Sequence, residues 1–212
     1  MNYLKFKNRF FDLGCFNVHQ VYAWQPDFDK SNLTRWIKRG LLVKLRNVCY
    51  SFPEYLKQPD FRYLVSNRMY LPSYVSLHTV LAFYGMIPEA VITVTAVSAL
   101  KKTTFENAFG TFTYQQIASE LMFGYDVKPF TGGHALLFAQ PEKALLDLLY
   151  LYPFYNTLQE MEELRLDEDF MQQDFNVERF QEYAHRFHSK ALMKRMRILL
   201  KVYCLDNIKP CN

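Results

Sequence analysis

The residues from Leu33 to Phe52 change period once. Leu33, Trp36 and Ile37 recur at i, i+3 and i+4, the spacing of a single helix face. After Gly40 the order LLVKLR alternates, sending Val43 and Leu45 one way and Lys44 and Arg46 the other. A second short run, CYSF, carries Tyr50 and Phe52 in phase. The pattern predicts a helix capped by Asp29 and ended by a left-handed Gly40, leading at once into a hairpin. With successive residues about 100° apart, Ser31, Arg35 and Lys38 lie opposite the apolar stripe, flanked by Thr34 and Arg39.

The pattern continues on both sides. Upstream, YLKFKNRFFDL has a helical apolar spacing over residues 3–13 and stops at Gly14, and Phe16 to Trp24 forms a second short helical run closed by Pro26. Three helices and a hairpin in about fifty residues make up a winged helix-turn-helix unit. Downstream, residues 53–72 hold three prolines and no clean period, so they read as a connector with at most a short helix. Val75 to Tyr84 predicts a helix capped by Ser73 or Ser76 and ended by Gly85. VITVTAVS is β-branched and alternating, and the NAFG turn signal leads into a further strand, TFTYQQI. LMFGYDV and HALLFAQ add two more strands. PEKALLDLLYLYP then opens a helix on proline, with Ala144, Leu145, Leu148 and Leu149 sharing a face.

The expected fold is therefore α+β. A winged helix-turn-helix covers residues 1–52, a connector 53–72, and an α+β domain with a mainly antiparallel sheet and a helical tail 73–212. Because the connector separates two apolar patterns, a fragment starting near Tyr70 is expected to fold by itself.

Charge sharpens this division. Residues 1–50 carry nine Lys/Arg against three Asp/Glu, a net of +6, while the whole chain has only +4. The basic surplus belongs to the head, the asymmetry of a DNA-binding module joined to something else. In the tail, residues 160–182 hold nine acids and two bases, and residues 183–201 hold six bases and no acid. Both blocks have helical spacing and predict solvated faces; the basic one could also meet DNA backbone or an acidic partner.

Composition excludes several classes. With 212 residues, half of them hydrophobic, the chain can bury a substantial core, and nineteen Phe and fifteen Tyr predict one rich in rings. No apolar run is long enough to span a bilayer, and the charged N-terminus is no signal peptide, so the expected location is cytoplasmic, without membrane contact. Cys15, Cys49, Cys204 and Cys211 are far apart, as reduced thiols would be. No metal or catalytic constellation stands out. His185 and His188 lack further ligands at matching spacing, TGGH at 131–134 reads as a turn, and Asp167-Glu168-Asp169 reads as a solvated triplet. His19 and His78 sit among apolar residues, where a satisfied core or semi-buried histidine is the default. The expected protein is not an enzyme and uses no cofactor.

RWIKRGLLVKLRNVCYSF resembles the helix and wing of the AbiEi-like antitoxins of abortive-infection systems. The phrases YVSLHTVLAFYGMIPEAVITVTAVS, KKTTFENAFGTFTY and QPEKALLDLLYL resemble the body of that family in the same order, so the likeness covers roughly residues 10–152. The resemblance implies a bacterial transcriptional regulator that binds double-stranded operator DNA with inverted repeats and represses its own operon. It further implies that the body opposes a nucleotidyltransferase-like toxin. DNA contacts would fall on Ser31, Thr34, Arg35, Lys38 and Arg39 in the helix and on Lys44, Arg46 and Asn47 in the wing. The tip Asn47-Val48 departs from the Asn-Gly of a tight hairpin, predicting a wing that is longer, differently bent or less able to enter a groove. The alternative is an interaction module, or orphan regulator, whose winged helix docks a partner rather than an operator.

Overall fold

The computed structural model describes residues 2–205 and shows an α+β protein; Cys211 lies outside those residues. The first fifty residues form α1 (Tyr3–Phe10), β1 (Cys15–Asn17), α2 (Val18–Trp24), α3 (Ser31–Lys38), β2 (Val43–Arg46) and β3 (Cys49–Ser51). The expected helix from Phe16 to Trp24 is shorter than its pattern. Residues 15–17 pair as a strand, and Asn17 starts α2 through a reciprocal capping box with Gln20. The three strands make an antiparallel sheet in the order β1-β3-β2.

This small sheet is buried on both faces. Phe16, Tyr50 and Phe52 point into a ring-rich core with Phe6, Phe10 and Trp36. Cys15, Leu45 and Cys49 point the other way, into the core of the larger unit. Apolar surroundings push the Cys15 thiol far up and the Cys49 thiol to about 11. Both stay protonated, and the three cysteines among the described residues are free.

The larger unit is built on a six-stranded sheet of β4 (Ser73–Val75), β5 (Val94–Ser98), β6 (Thr103–Asn107), β7 (Gly110–Gln116), β8 (Tyr125–Phe130) and β9 (His134–Ala139). Its order is β6-β7-β5-β4-β9-β8. Three pairings are antiparallel and two, β5–β7 and β4–β9, are parallel. The sheet is thus more mixed than expected. Strand β4 explains the difference. Residues 73–75 were expected at the start of a helix but form a central strand, and α5 begins only at His78 (His78–Phe83). Leu77, at φ +60°, turns the chain between them.

Register assigns the two faces. Val75, Ala96, Tyr114 and Phe138 are mutual partners and share one side; Tyr74 and Val97 share the other. The first side is covered by α4 (Phe61–Met69), seven of whose nine residues are buried. Asn67 exchanges two hydrogen bonds with the Leu137 backbone, and the Tyr114 hydroxyl donates to the Ser66 carbonyl (2.8 Å). The expected connector therefore contributes a helix to the core of the larger unit. Its period is invisible in the sequence because nearly every side of the helix is buried.

The second side carries α6 (Pro141–Leu151), whose residues 142–149 are all buried. The tail adds α7 (Leu158–Glu162), α8 (Glu168–Gln173), α9 (Val177–Arg186) and α10 (Lys190–Val202). Met161, Leu192, Met196 and Leu199 draw these helices into the same core, and the acidic and basic blocks pair little. Asp167, Glu168 and Asp169 are exposed, with Asp167 capping α8. Residues 131–133 form the turn between β8 and β9. Among the described residues no helix is long and apolar enough to cross a membrane.

Candidate nucleic-acid interface

Helix α3 is held by its ends and by one ring. The Asp29 carboxylate accepts from the Ser31 amide (2.9 Å) and the Ser31 hydroxyl, closing the first turn. Those bonds, with a smaller contribution from Arg35, hold the Asp29 carboxyl below its usual range. At the other end Gly40 takes φ +68°, and the Leu41 amide reaches back to the Trp36 carbonyl (2.8 Å). That six-residue closure needs a left-handed residue at Gly40. Trp36 is buried with its ring 4.7 Å from Phe6 and 5.4 Å from Tyr3, fixing the rotation of the helix about its axis.

The anchoring leaves two polar ridges outside. Lys30, Thr34 and Lys38 lie at i, i+4 and i+8, as do Ser31, Arg35 and Arg39, and all six are exposed. The first ridge faces the hairpin across a groove of about 620 Å³. Lys44 and Asn47 form the opposite wall, and Ile37, Val48 and Tyr50 form the floor. Among the described residues no carboxylate lines it. Three ammonium groups, a hydroxyl and an amide thus converge on one concave strip, with no acid to neutralise them. Such a strip can hold phosphate oxygens by charge and hydrogen bonding.

Of the eight residues singled out from sequence, the groove collects Thr34, Lys38, Lys44 and Asn47. Ser31, Arg35 and Arg39 occupy the neighbouring ridge, with the Ser31 hydroxyl engaged by Asp29. Arg46 goes elsewhere. Its guanidinium lies 5.7 Å and 5.6 Å from the ring centroids of Tyr70 and Phe105, in the seam with the larger unit. The cause is a bulge. Lys44 pairs with Tyr50 and Arg46 with Cys49, so β2 has one residue too many, and Arg46 follows Leu45 toward the body. Simple alternation had placed Arg46 beside Lys44. Lys30 is the groove residue that sequence reading missed; its i−4 spacing from Thr34 is the signal that could have found it.

The wing tip is two residues long despite Val48, which adopts φ +60°. The expectation of a longer loop fails, while the bend does occur, as the bulge. The Val48 carbonyl accepts from the Val18 amide (2.9 Å), tying the strained turn to the start of α2. Elsewhere, His19 is exposed rather than core or semi-buried, whereas His78 is half-buried as expected, with its pKa lowered by burial. Among the described residues no group of three His, Cys, Asp or Glu side chains could hold a metal. Compared with known proteins, the chain matches no family model and no curated protein.

Proposed function

We propose that residues 2–52 are a winged helix-turn-helix that binds duplex DNA, with α3 in the major groove and the hairpin against the backbone. One observation carries the reading: the acid-free groove in which Lys30, Lys38 and Lys44 converge beside the exposed guanidinium groups of Arg35 and Arg39. The wider proposal is a cytoplasmic antitoxin of an abortive-infection pair that represses its own operon and opposes a nucleotidyltransferase-like toxin. Its support is the sequence resemblance to the AbiEi-like antitoxins. A second reading, in which the groove docks a protein, is favoured by Arg46. Its charge is spent on the body, leaving Lys44 as the exposed cation of the hairpin.

Arg35 on α3 and Lys44 on the hairpin separate these readings. Arg35 stands at the middle of the outer face and can pair bidentately with guanine, which discriminates between bases by about 1–3 kcal/mol. Lys44 meets phosphate, which carries no sequence information. Arg35→Ala should narrow the gap between upstream operator DNA and random DNA, whereas Lys44→Ala should weaken both alike. Fluorescence anisotropy on both duplexes measures this, and equal losses for Arg35→Ala would refute the assignment. A protein-docking groove would bind neither duplex. Growth of cells co-expressing the chain with the neighbouring toxin gene tests the antitoxin half.

A further inference from the structure

A second concave surface lies in the body, away from α3 and the hairpin. It is a cavity of about 480 Å³ between α5, the 87–93 segment and the end of α7, within the range of small-molecule sites. Leu81, Ile87, Val91 and Leu164 give it an apolar floor. Leu81 and Ile87 are buried, whereas Ile92 on the rim is 83% exposed, an apolar side chain held in water at the mouth of an apolar hollow.

The charged groups of the cavity carry one sign. Glu89 and Glu163 line it, and among the described residues no lysine or arginine does. Glu89 has an exposed, long contact with Arg165 outside the lining (3.4 Å); Glu163 pairs with no cation among the described residues. Both carboxylates act on the half-buried Tyr155, and Glu89 also acts on His78. The His78 ring stands edge-on to Tyr152, 6.0 Å away, and burial lowers its pKa, so the imidazole facing the cavity is neutral near pH 7. A neutral imidazole offers one donor and one acceptor.

We propose that this cavity binds a small organic cation whose charge is carried on an aromatic body, of the arylalkylammonium class. The ring would rest on Leu81, Ile87, Val91 and Leu164, the ammonium would meet Glu163 and Glu89, and Tyr155 would add a ring face to the cation. His78 would accept a hydrogen bond from a ring N–H or O–H. An anion of the same shape would meet two carboxylates, with Arg165 beside Glu89 but outside the lining. The site is independent of the DNA-binding reading, since it shares no residue with the α3 groove.

The test uses the full chain with tryptamine as the cationic probe and indole-3-acetate as its anionic counterpart, followed by methyl-resolved NMR. Tryptamine should give saturable shifts confined to Leu81, Ile87, Val91 and Leu164, and indole-3-acetate should bind at least about fivefold more weakly. Glu163→Gln should weaken tryptamine by about fivefold. Ala90→Trp, placed on the exposed cavity wall, should abolish the shifts while leaving the fold intact. Equal binding of the two probes, or tryptamine shifts that survive Ala90→Trp, would overturn the proposal. So would unsaturable shifts scattered over the acidic faces of α7 and α8.

Discussion

Asp147→Ala is expected to lower the unfolding free energy by about 3–5 kcal/mol, the usual cost of leaving one member of a buried ion pair behind. Asp147 and Lys143 are fully buried on α6, one turn apart, and form an ion pair. The Asp147 carboxylate also accepts from the Tyr74 hydroxyl (2.9 Å) and the Ser76 hydroxyl (2.8 Å). The ammonium donates to the Tyr74 oxygen (2.8 Å) and lies 4.9 Å from the ring centroids of Phe123 and Phe187. Burial pushes the Lys143 ammonium below its usual range, and the Asp147 carboxylate opposes that shift. Removing the carboxylate leaves a cation among rings with one hydroxyl for company. Lys143→Met/Asp147→Leu should recover part of the loss, and adding Tyr74→Phe should recover more, because each step removes an orphaned group. Urea unfolding gives the ranking. A loss below about 1 kcal/mol for Asp147→Ala would mean that the site is open to water.

A fragment starting at Tyr70 is expected not to fold, the reverse of what the sequence pattern suggests. It lacks α4, and with it Phe61, Tyr63, Leu64, Val65 and Met69, five buried members of the larger core. Truncating even one such side chain costs about 2–5 kcal/mol, so losing five removes as much as the whole of the roughly 5–15 kcal/mol that a domain has. The Tyr114 hydroxyl and the Leu137 backbone would also lose their partners. A fragment starting at Pro53 keeps α4 but lacks Cys15, Leu45 and Cys49, uncovering the part of the larger core that they pack against. It should fold with reduced stability. Circular dichroism and thermal melts of the two fragments check both outcomes; a cooperative melt from the Tyr70 fragment would contradict the role given to α4.

Legibility in the sequence followed the asymmetry of each element. Helix α3 has one wet face and one dry face, so its period, its Asp29 start and its Gly40 stop could all be read. The turn into β7 announced itself through NAFG, but β6 on its other side was not read. Helix α4 gave no usable period because it is buried nearly all round; α6 was read from its proline start and its Ala144–Leu145–Leu148–Leu149 face, but the burial of its other sides was not. In α6 the pair Lys143 and Asp147, at helical spacing, looks like a solvated salt bridge, and only tertiary packing takes it out of water. Strand β4 is three residues long and runs straight into α5, too short for alternation to register. Arg46 was misplaced by a one-residue bulge, which reverses the facing of every side chain beyond it. Of the eight residues expected at the interface, Thr34, Lys38, Lys44 and Asn47 converge on the groove; Ser31, Arg35 and Arg39 stay exposed on the adjoining ridge of the helix, and Arg46 is turned away by the bulge.

The salt dependence of duplex binding tests the central claim most directly. The full chain is titrated against its upstream DNA at several salt concentrations, alongside Lys30→Gln/Lys38→Gln/Lys44→Gln. If about six phosphates are neutralised, log K should fall with log salt at a slope near −5, each contact contributing about −0.9. The triple variant should bring the slope to about −3. A flat response from the unmodified chain, or a variant whose slope matches it, would contradict a phosphate-binding groove between α3 and the hairpin.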